Sequence, residues 1–320
     1  MTWFIFALIC LLGWGFADLF YKKGTEENDT SSHLKIGVWV GLTMGIISVI
    51  LLFTTDSSLT NGSFFISIIK YSPASLSYII SMIIGYASLR YLELSIVSPL
   101  QNASGALSAI LMLIYFVSTN SISSITEEFS IFDLFGTVLI VIGVITLAIV
   151  QNKLSKEEKL NNSEIKKYRF GALALLFPLM YCIFDTIGTA FDGIILNEET
   201  GLNLSKTDVL ILYGITFFIA GIICYIILLI KNKKFYNPFK SSEKSKCFAS
   251  IFEEFGQIFY VFAMAKNPVL SAPMISSYCI VSVLLSRIIL KEKLKTSQTI
   301  SIIIVILGIV LLGISESISI

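Results

Sequence analysis

The 320-residue chain is 55% hydrophobic and only 14% charged, a composition that ordinary soluble domains of this length do not show. We therefore predict an all-α integral membrane protein. The formal net charge of +1 gives no overall field that would attract nucleic acid. The five cysteines form no CxxC pair, and His33, the single histidine, lies in a polar loop. We expect buried free thiols, no metal site and no cofactor.

Apolar runs long enough to cross a bilayer, about 20 residues each, recur along the chain. The first run, Thr2 to Ala17, leads directly into Asp18 and Lys22 and has no small-residue cleavage site, so we read it as a retained helix. The same pattern predicts ten transmembrane helices, near residues 2–21, 35–54, 71–92, 95–117, 132–150, 170–195, 208–230, 248–265, 268–289 and 297–315.

A polar, charged segment separates the fifth predicted helix from the sixth. It divides the chain into a first five-helix repeat (1–150), a charged cytoplasmic linker (151–169) and a second five-helix repeat (170–320). Repeats with an odd number of crossings must lie antiparallel in the membrane if they share a fold. We therefore predict two inverted five-helix repeats around a central cavity.

Repeated spacings support this internal symmetry. The interval from Tyr86 to Pro99 recurs from Tyr260 to Pro273. Matches of this kind between the halves are the sequence trace of an inverted repeat. Glycines within the apolar runs, such as Gly308, are expected at close helix contacts, because a missing side chain lets two backbones approach.

The distribution of Lys and Arg predicts the orientation. All but three of the 23 basic residues lie in the loops after the odd-numbered helices, and the exceptions are Lys70, Lys206 and Lys266. Because cytoplasmic loops are enriched in Lys and Arg, we expect a multi-pass protein of the cell membrane with the odd-numbered loops in the cytoplasm and both termini outside.

Two stretches resemble the EamA-like carriers of the drug/metabolite transporter superfamily. SRIILKEKLKTSQTISIIIVILGIVLLGI, with its basic turn at Lys291 to Lys295 followed by Gln298, is similar to that family's closing helices, and LLGWGFADLFYKKG is similar to its first helix. The first-half counterpart of the basic turn, ITEEFSIFDLFG, lacks basic residues. The resemblance implies a ten-helix carrier that works by alternating access, but it does not name the cargo.

Ionisable side chains at membrane depth are costly and usually line a cavity or have a partner. In the sixth predicted helix, Tyr181, Asp185, Gly188 and Asp192 fall on one stripe that should face the interior. Asp185 is a candidate to bind substrate or a coupling ion, and the alternative is a structural hydrogen bond to a neighbouring helix. Asp192 approaches the outer end, where we expect it to be solvated.

The eighth predicted helix contains two adjacent acids. Glu253 shares a stripe with Gln257 and Tyr260, so it should face the interior, where a desolvated carboxyl can exchange a proton. Glu253 and Asp185 are therefore the candidates for proton coupling. The alternative places Glu253 and Glu254 at the cytoplasmic headgroup level, paired with the lysines that precede them.

In the first predicted helix, Asp18 either forms an interfacial ion pair with Lys22 or occupies a cavity position that matches Asp185. Amphipathic aromatic residues could line the same cavity and stack on a ring or a quaternary cation. Polar residues that follow Pro99 and Pro273 are further candidates, since carriers with inverted repeats build their sites at symmetric positions of this kind. These additional substrate-binding candidates are Trp14, Tyr278, Gln101, Asn102 and Ser277.

The predicted function is secondary transport of a small organic metabolite or drug, with an acidic cavity that leans towards cationic or zwitterionic, amino acid-like cargo. The alternatives are a lipid-linked sugar flippase or a divalent-cation carrier of the same fold. An intramembrane enzyme is disfavoured because we find no nucleophile with its base and no metal cluster. The expected partners are a small-molecule substrate and the bilayer, and the expected assembly is a monomer or homodimer.

Overall fold

A computed structural model describes residues 2–26, 29–55, 59, 64–92, 94–122, 129–161, 174, 176–197, 204–291 and 296–319. Within these ranges the secondary structure is helical. A 3-10 turn (Ser241–Glu243) and a π turn (Ser286–Leu290) accompany the α-helices. The helices are α1 (Trp3–Gly24), α2 (Ser32–Thr54), α3 (Phe64–Ser88), α4 (Leu94–Asn102), α5 (Ser104–Ser118), α6 (Ile131–Asn161), α7 (Leu176–Leu196), α8 (Lys206–Asn232), α9 (Lys244–Lys266), α10 (Pro268–Ser276), α11 (Tyr278–Leu285) and α12 (Thr296–Ser319).

The helices have the length and surface of membrane spans. Nine helical segments in the described ranges are long and apolar enough to cross a bilayer, and α6 carries a shorter apolar stretch, Ile131–Leu147. Large aliphatic side chains such as Ile69, Ile149 and Ile230 are exposed on the outside of the bundle, where a soluble protein would place polar groups. The predicted all-α integral membrane fold is confirmed.

Helix boundaries differ most from the sequence prediction at the start of α3 and the end of α6. α3 begins at Phe64 instead of residue 71, so Tyr71 lies inside the helix. α6 continues to Asn161, so the first part of the predicted linker, 151–161, is helical. The remainder of the linker, the turn at 292–295 and most of the acidic loop before α6 lie outside the described residues.

The helices of the two halves pack on one another in pairs. α1 packs on α9, α3 on α7, α2 on α8, α5 on α10, and α6 on α12. We count α4 with α5 as the fourth span and α10 with α11 as the ninth. If each span is replaced by the one five places away, the pair of α1 and α9 becomes the pair of α3 and α7. The other three pairs of spans stay the same. Two halves related by a two-fold axis would pair in this way, and the division of the chain into two repeats stays a prediction.

The fourth and ninth spans are each broken into two helices. The breaks fall at Ala103 and Ser277, at the same distance beyond Pro99 and Pro273. Polar side chains take backbone acceptors there: Asn102 Nδ2 donates to the Ser98 carbonyl at 2.7 Å, and Ser277 Oγ donates to the Met274 carbonyl at 2.5 Å. Such bonds compete with the helical ladder. The two breaks lie close together where α5 crosses α10, since a Cβ atom added to Gly105 would meet Ser276.

Candidate substrate cavity

A cavity lies between the two halves. The non-atom space there amounts to about 710 Å³ when open solvent is included. Its wall combines carboxyl, amide and hydroxyl groups with many aromatic rings. The lining residues are Trp14, Asp18, Tyr21, Tyr78, Met82, Gly85, Tyr86, Leu89, Gln101, Asn102, Tyr181, Asp185, Thr189, Tyr213, Glu253, Tyr260, Ala272, Ile275, Ser276 and Tyr278.

Asp18 is held at the wall by hydroxyl groups from two other spans. Its Oδ2 atom accepts from Ser98 Oγ of α4 at 2.6 Å and from Ser282 Oγ of α11 at 2.8 Å. The ammonium group of Lys22, one turn further along α1, donates to the carbonyls of Leu89 and Leu92, both at 2.6 Å. Asp18 therefore lines the cavity, which is one of the two locations predicted for it from the sequence.

Asp185 occupies the related position on α7. Its Oδ2 atom accepts from Ser104 Oγ of α5 at 2.5 Å. The two aspartates are thus held in a related way: each lies on the first span of its half and accepts from a serine of a broken span. A hydroxyl donor stabilises a carboxylate without neutralising it, so each aspartate keeps its capacity to bind a cation.

Glu253 enters the cavity from α9. Its side chain is 6% exposed, and its backbone carbonyl accepts from Trp14 Nε1 at 3.2 Å. Lys246, one of the lysines proposed to neutralise the two glutamates, instead bonds to Glu243 at 2.8 Å. Glu254 is also buried. Both glutamates are therefore buried within the protein, and Lys246 pairs with Glu243 instead of with either of them; their depth in the membrane stays a prediction.

The ion pair between Lys246 and Glu243 lies at the end of the bundle where α9 begins. Glu243 also accepts from the Tyr236 hydroxyl at 3.0 Å. Burial raises the pKa of the Tyr236 phenol, and the neighbouring Glu243 raises it further. Tyr236 is therefore a neutral hydrogen-bond donor to Glu243. This cluster fixes the start of α9, from which Glu253 reaches the cavity.

The electrostatic character of the wall is uniformly acidic. Asp18, Asp185 and Glu253 line it, and none of its lining residues is a lysine, arginine or histidine. In the described part of the chain, no group of three or more acids, cysteines and histidines is close enough to hold a metal ion. The three carboxyls therefore surround a space wider than a metal site.

Aromatic rings cover much of the remaining wall. Trp14 stacks on Tyr260 with ring centroids 5.2 Å apart and meets Tyr278 edge-on at 5.7 Å. Tyr21 and Tyr86 form a second pair at 4.7 Å. Rings around a carboxylate-lined space form the kind of enclosure that recognises organic cations.

Most predicted site residues lie in the wall, but two do not. Gln257 is buried with its Nε2 atom unpaired among the described residues, and Ser277 is buried at the break in the ninth span, where its hydroxyl serves the backbone. The predicted site residues that the structure brings together are Trp14, Asp18, Gln101, Asn102, Tyr181, Asp185, Glu253, Tyr260 and Tyr278.

The sequence prediction missed several lining residues and misplaced one acid. Tyr21, Tyr78, Tyr213 and Thr189 lie in the wall, although nothing in their local sequence sets them apart from tyrosines and threonines elsewhere. Asp192, expected to be solvated, is 0% exposed. It is buried where α7 packs against α3, and its carboxyl accepts from the Tyr71 hydroxyl of α3.

Comparison with known proteins agrees with this architecture. One solved crystal structure aligns over 99% of this chain and 98% of its own length, with a TM-score of 0.65 and 9% sequence identity, which shows a likeness of fold alone. No curated protein matches the chain. The model of the EamA-like transporter family matches residues 200–314, which hold α8 to α11 and most of α12. That match covers less than half of the chain, so residues 200–314 are similar to the EamA-like transporter family.

Proposed function

We propose that the chain is a secondary carrier of a small organic cation, which it moves by alternating access between its two five-helix halves. The observation that carries the proposal is the cavity wall, where Asp18, Asp185 and Glu253 face a common space lined by no basic side chain. Buried carboxylates without a cationic partner are strongly unfavourable. A cationic cargo or bound protons must therefore balance their charge.

The aromatic wall favours an organic cation over a metal ion. Divalent cations require several oxygen ligands at short range, whereas the described residues contain no such cluster. Trp14, Tyr260 and Tyr278 offer ring faces and edges beside Glu253. A flat or alkylated ammonium compound would satisfy both the rings and the carboxyls.

A zwitterionic, amino acid-like cargo is the second candidate. Gln101 and Asn102 place amide groups in the wall, and an amide N–H can donate to a substrate carboxylate. These amides are neutral, so they would bind a carboxylate more weakly than an arginine would. The wall therefore supports a cation more strongly than a zwitterion.

Proton exchange is part of the proposal. Glu253 and Asp185 bind protons when no cargo is present, and a cation displaces these protons as it binds. Release of the cation on the opposite side lets the acids recover their protons, so transport couples to a pH gradient. The distribution of basic residues supports an orientation in which the odd-numbered loops are cytoplasmic.

The test is transport into proteoliposomes. We would measure uptake of 1-methyl-4-phenylpyridinium, tetraethylammonium, tyrosine and glucose, each with and without a pH gradient. Variants Glu253→Gln and Asp185→Asn remove one cavity charge each with little change in shape. Glu254→Gln is the matched control, because Glu254 is an equally buried neighbour of Glu253 that does not line the cavity.

We expect uptake of the aromatic cation by the wild type and by Glu254→Gln, and a large loss in the two cavity variants. Loss of a charge-assisted contact worth about 1.5–3 kcal/mol weakens binding roughly 10- to 150-fold. Uptake of tyrosine but of no cation would favour the zwitterionic cargo. Transport of the cation at wild-type rates by both cavity variants would refute this site.

A further inference from the structure

A further buried acid, Asp192, lies close to the cavity but does not line it. Asp192 is on α7, one turn beyond the lining residue Thr189, and it is 0% exposed. Its Oδ1 atom accepts from the Tyr71 hydroxyl at 2.9 Å. Its Oδ2 atom is buried and has no hydrogen-bond partner among the described residues.

Hydroxyl groups connect Asp192 to the cavity. The hydroxyls of Tyr78 and Tyr260 face its carboxyl and hydrogen-bond to each other. Tyr78 also hydrogen-bonds to Thr189 Oγ1 at 2.9 Å. Tyr78, Thr189 and Tyr260 all line the cavity. A single layer of side chains, made of these three residues, therefore lies between the cavity and Asp192.

The groups around Asp192 do not balance a negative charge. From α3 it faces Tyr71 and Tyr78, from α8 Tyr213, and from α9 Tyr260, and all four are neutral phenols. On its own helix the nearest acid is Asp185, whose charge would repel it. From α5 and α10, apolar Met112 and Pro268 pack against the adjacent Gly193.

A fully buried carboxylate that accepts a hydrogen bond from Tyr71, with two further hydroxyls but no cation facing it, is an unfavourable species. The neutral acid fits this site far better. Ionisation becomes possible only when the halves part and water reaches the site. The proton on Oδ2 then passes to water, and the remaining carboxylate keeps the hydrogen bond from Tyr71.

We propose that Asp192 is a second proton-coupling site, which carries one exchanged proton at a place that the cargo does not touch. This inference rests on the proposed cation transport. A proton on Asp192 removes a negative charge from beside the cavity and weakens cation binding, and a bound cation favours release of that proton. Reciprocal coupling of this kind is what cation/proton exchange requires.

The test compares accumulation with exchange in proteoliposomes, using 1-methyl-4-phenylpyridinium as the probe. With a pH gradient of about one unit, loss of one exchanged proton lowers the steady-state accumulation ratio about tenfold. We expect this drop in Asp192→Asn, which keeps the shape and the acceptor for Tyr71. Exchange of labelled for unlabelled probe without a gradient should stay near the wild-type rate, because the cavity is intact.

Asp208→Asn is the control, because Asp208 is also buried near a helix end but accepts from the Ser205 backbone N–H as part of a helix cap. It should accumulate the probe like the wild type. An unchanged accumulation ratio in Asp192→Asn, or accumulation that follows a sodium gradient instead, would overturn the proposal.

A second measurement does not depend on transport. The infrared band of a protonated carboxyl should be weaker in Asp192→Asn than in the wild type, and it should be unchanged in Asp208→Asn. If the wild type moves no cation in either mode, the proposed function fails, and this band still shows whether Asp192 holds a proton. Equal bands in wild type and Asp192→Asn would contradict the site itself.

Discussion

Individual acids in apolar helices were the most informative residues in the sequence. Asp18 and Asp185 could be identified because a carboxyl at membrane depth is rare and needs a reason, and both lie in the cavity wall. Their serine partners, Ser98 and Ser104 among them, could not be identified. Serine occurs throughout these helices, and only the packing of separate spans shows which hydroxyl meets which acid.

We expect the ring of Trp14 to contribute to cation binding. It stacks on Tyr260, meets Tyr278 and lies in the cavity wall. Trp14→Leu removes the aromatic face while keeping an apolar side chain. Because a cation–π contact contributes about 0.5–2 kcal/mol, the affinity for 1-methyl-4-phenylpyridinium should fall roughly 2- to 30-fold. Equilibrium binding of the labelled probe to detergent-solubilised protein measures this change.

Phe16→Leu is the matched control for that change. Phe16 lies on the same helix and stacks on Phe252 with centroids 5.4 Å apart, but it is not a lining residue. Its replacement should leave affinity within about twofold of the wild type. An equal loss in both variants would mean that Trp14 acts through packing of α1 on α9 and not through the cation.

Among the helices, ten spans could be predicted because apolar runs of this length and number are typical of helices that cross a bilayer. The breaks in the fourth and ninth spans could not. Pro99 and Pro273 marked the right regions, but both prolines lie inside short helices, and the breaks fall one turn later. The position depends on which side chain takes a backbone carbonyl, and that choice depends on the crossing of α5 and α10.

The crossing of α6 and α12 gives a prediction about stability. A Cβ atom added to Gly308 would lie 2.7 Å from the Gly136 carbonyl oxygen, and one added to Gly136 would lie 2.9 Å from that of Gly308. Gly308→Ala therefore forces two backbones apart. Overpacking of this kind costs about 1–3 kcal/mol, which should appear as a clearly lower thermal unfolding temperature in detergent.

Gly37→Ala serves as the comparison, since its added Cβ meets only the Cys224 side chain, at 3.0 Å to Sγ. A thiol can rotate away, whereas a backbone carbonyl cannot. Gly37→Ala should therefore unfold close to the wild-type temperature. A loss as large as that of Gly308→Ala would show that any added methyl group disturbs this bundle.

For the whole molecule, the sequence predicted two related halves, and this stays a prediction although the helices pair as such halves would. The cavity followed from the same symmetry, because the acids of each half needed a shared interior. Part of its aromatic wall did not follow, since Tyr21, Tyr78 and Tyr213 come from three spans that only the assembled bundle brings together. The orientation in the membrane stays a prediction from the basic residues alone.

That orientation can be tested with single cysteines in a variant that lacks the five native ones. Ser317 lies near the end of α12, Asn237 lies in the lysine-rich segment between α8 and α9, and both are exposed. If cytoplasmic loops hold the basic residues, a membrane-impermeant maleimide should label Ser317→Cys in intact cells and Asn237→Cys only after permeabilisation. Labelling of both variants in detergent checks that each thiol reacts. The reverse labelling pattern in intact cells would mean that the protein has the opposite orientation in the membrane. The end of α7 that carries Asp192 would then open to the cytoplasm, and Asp192 would take its proton from the cytoplasm.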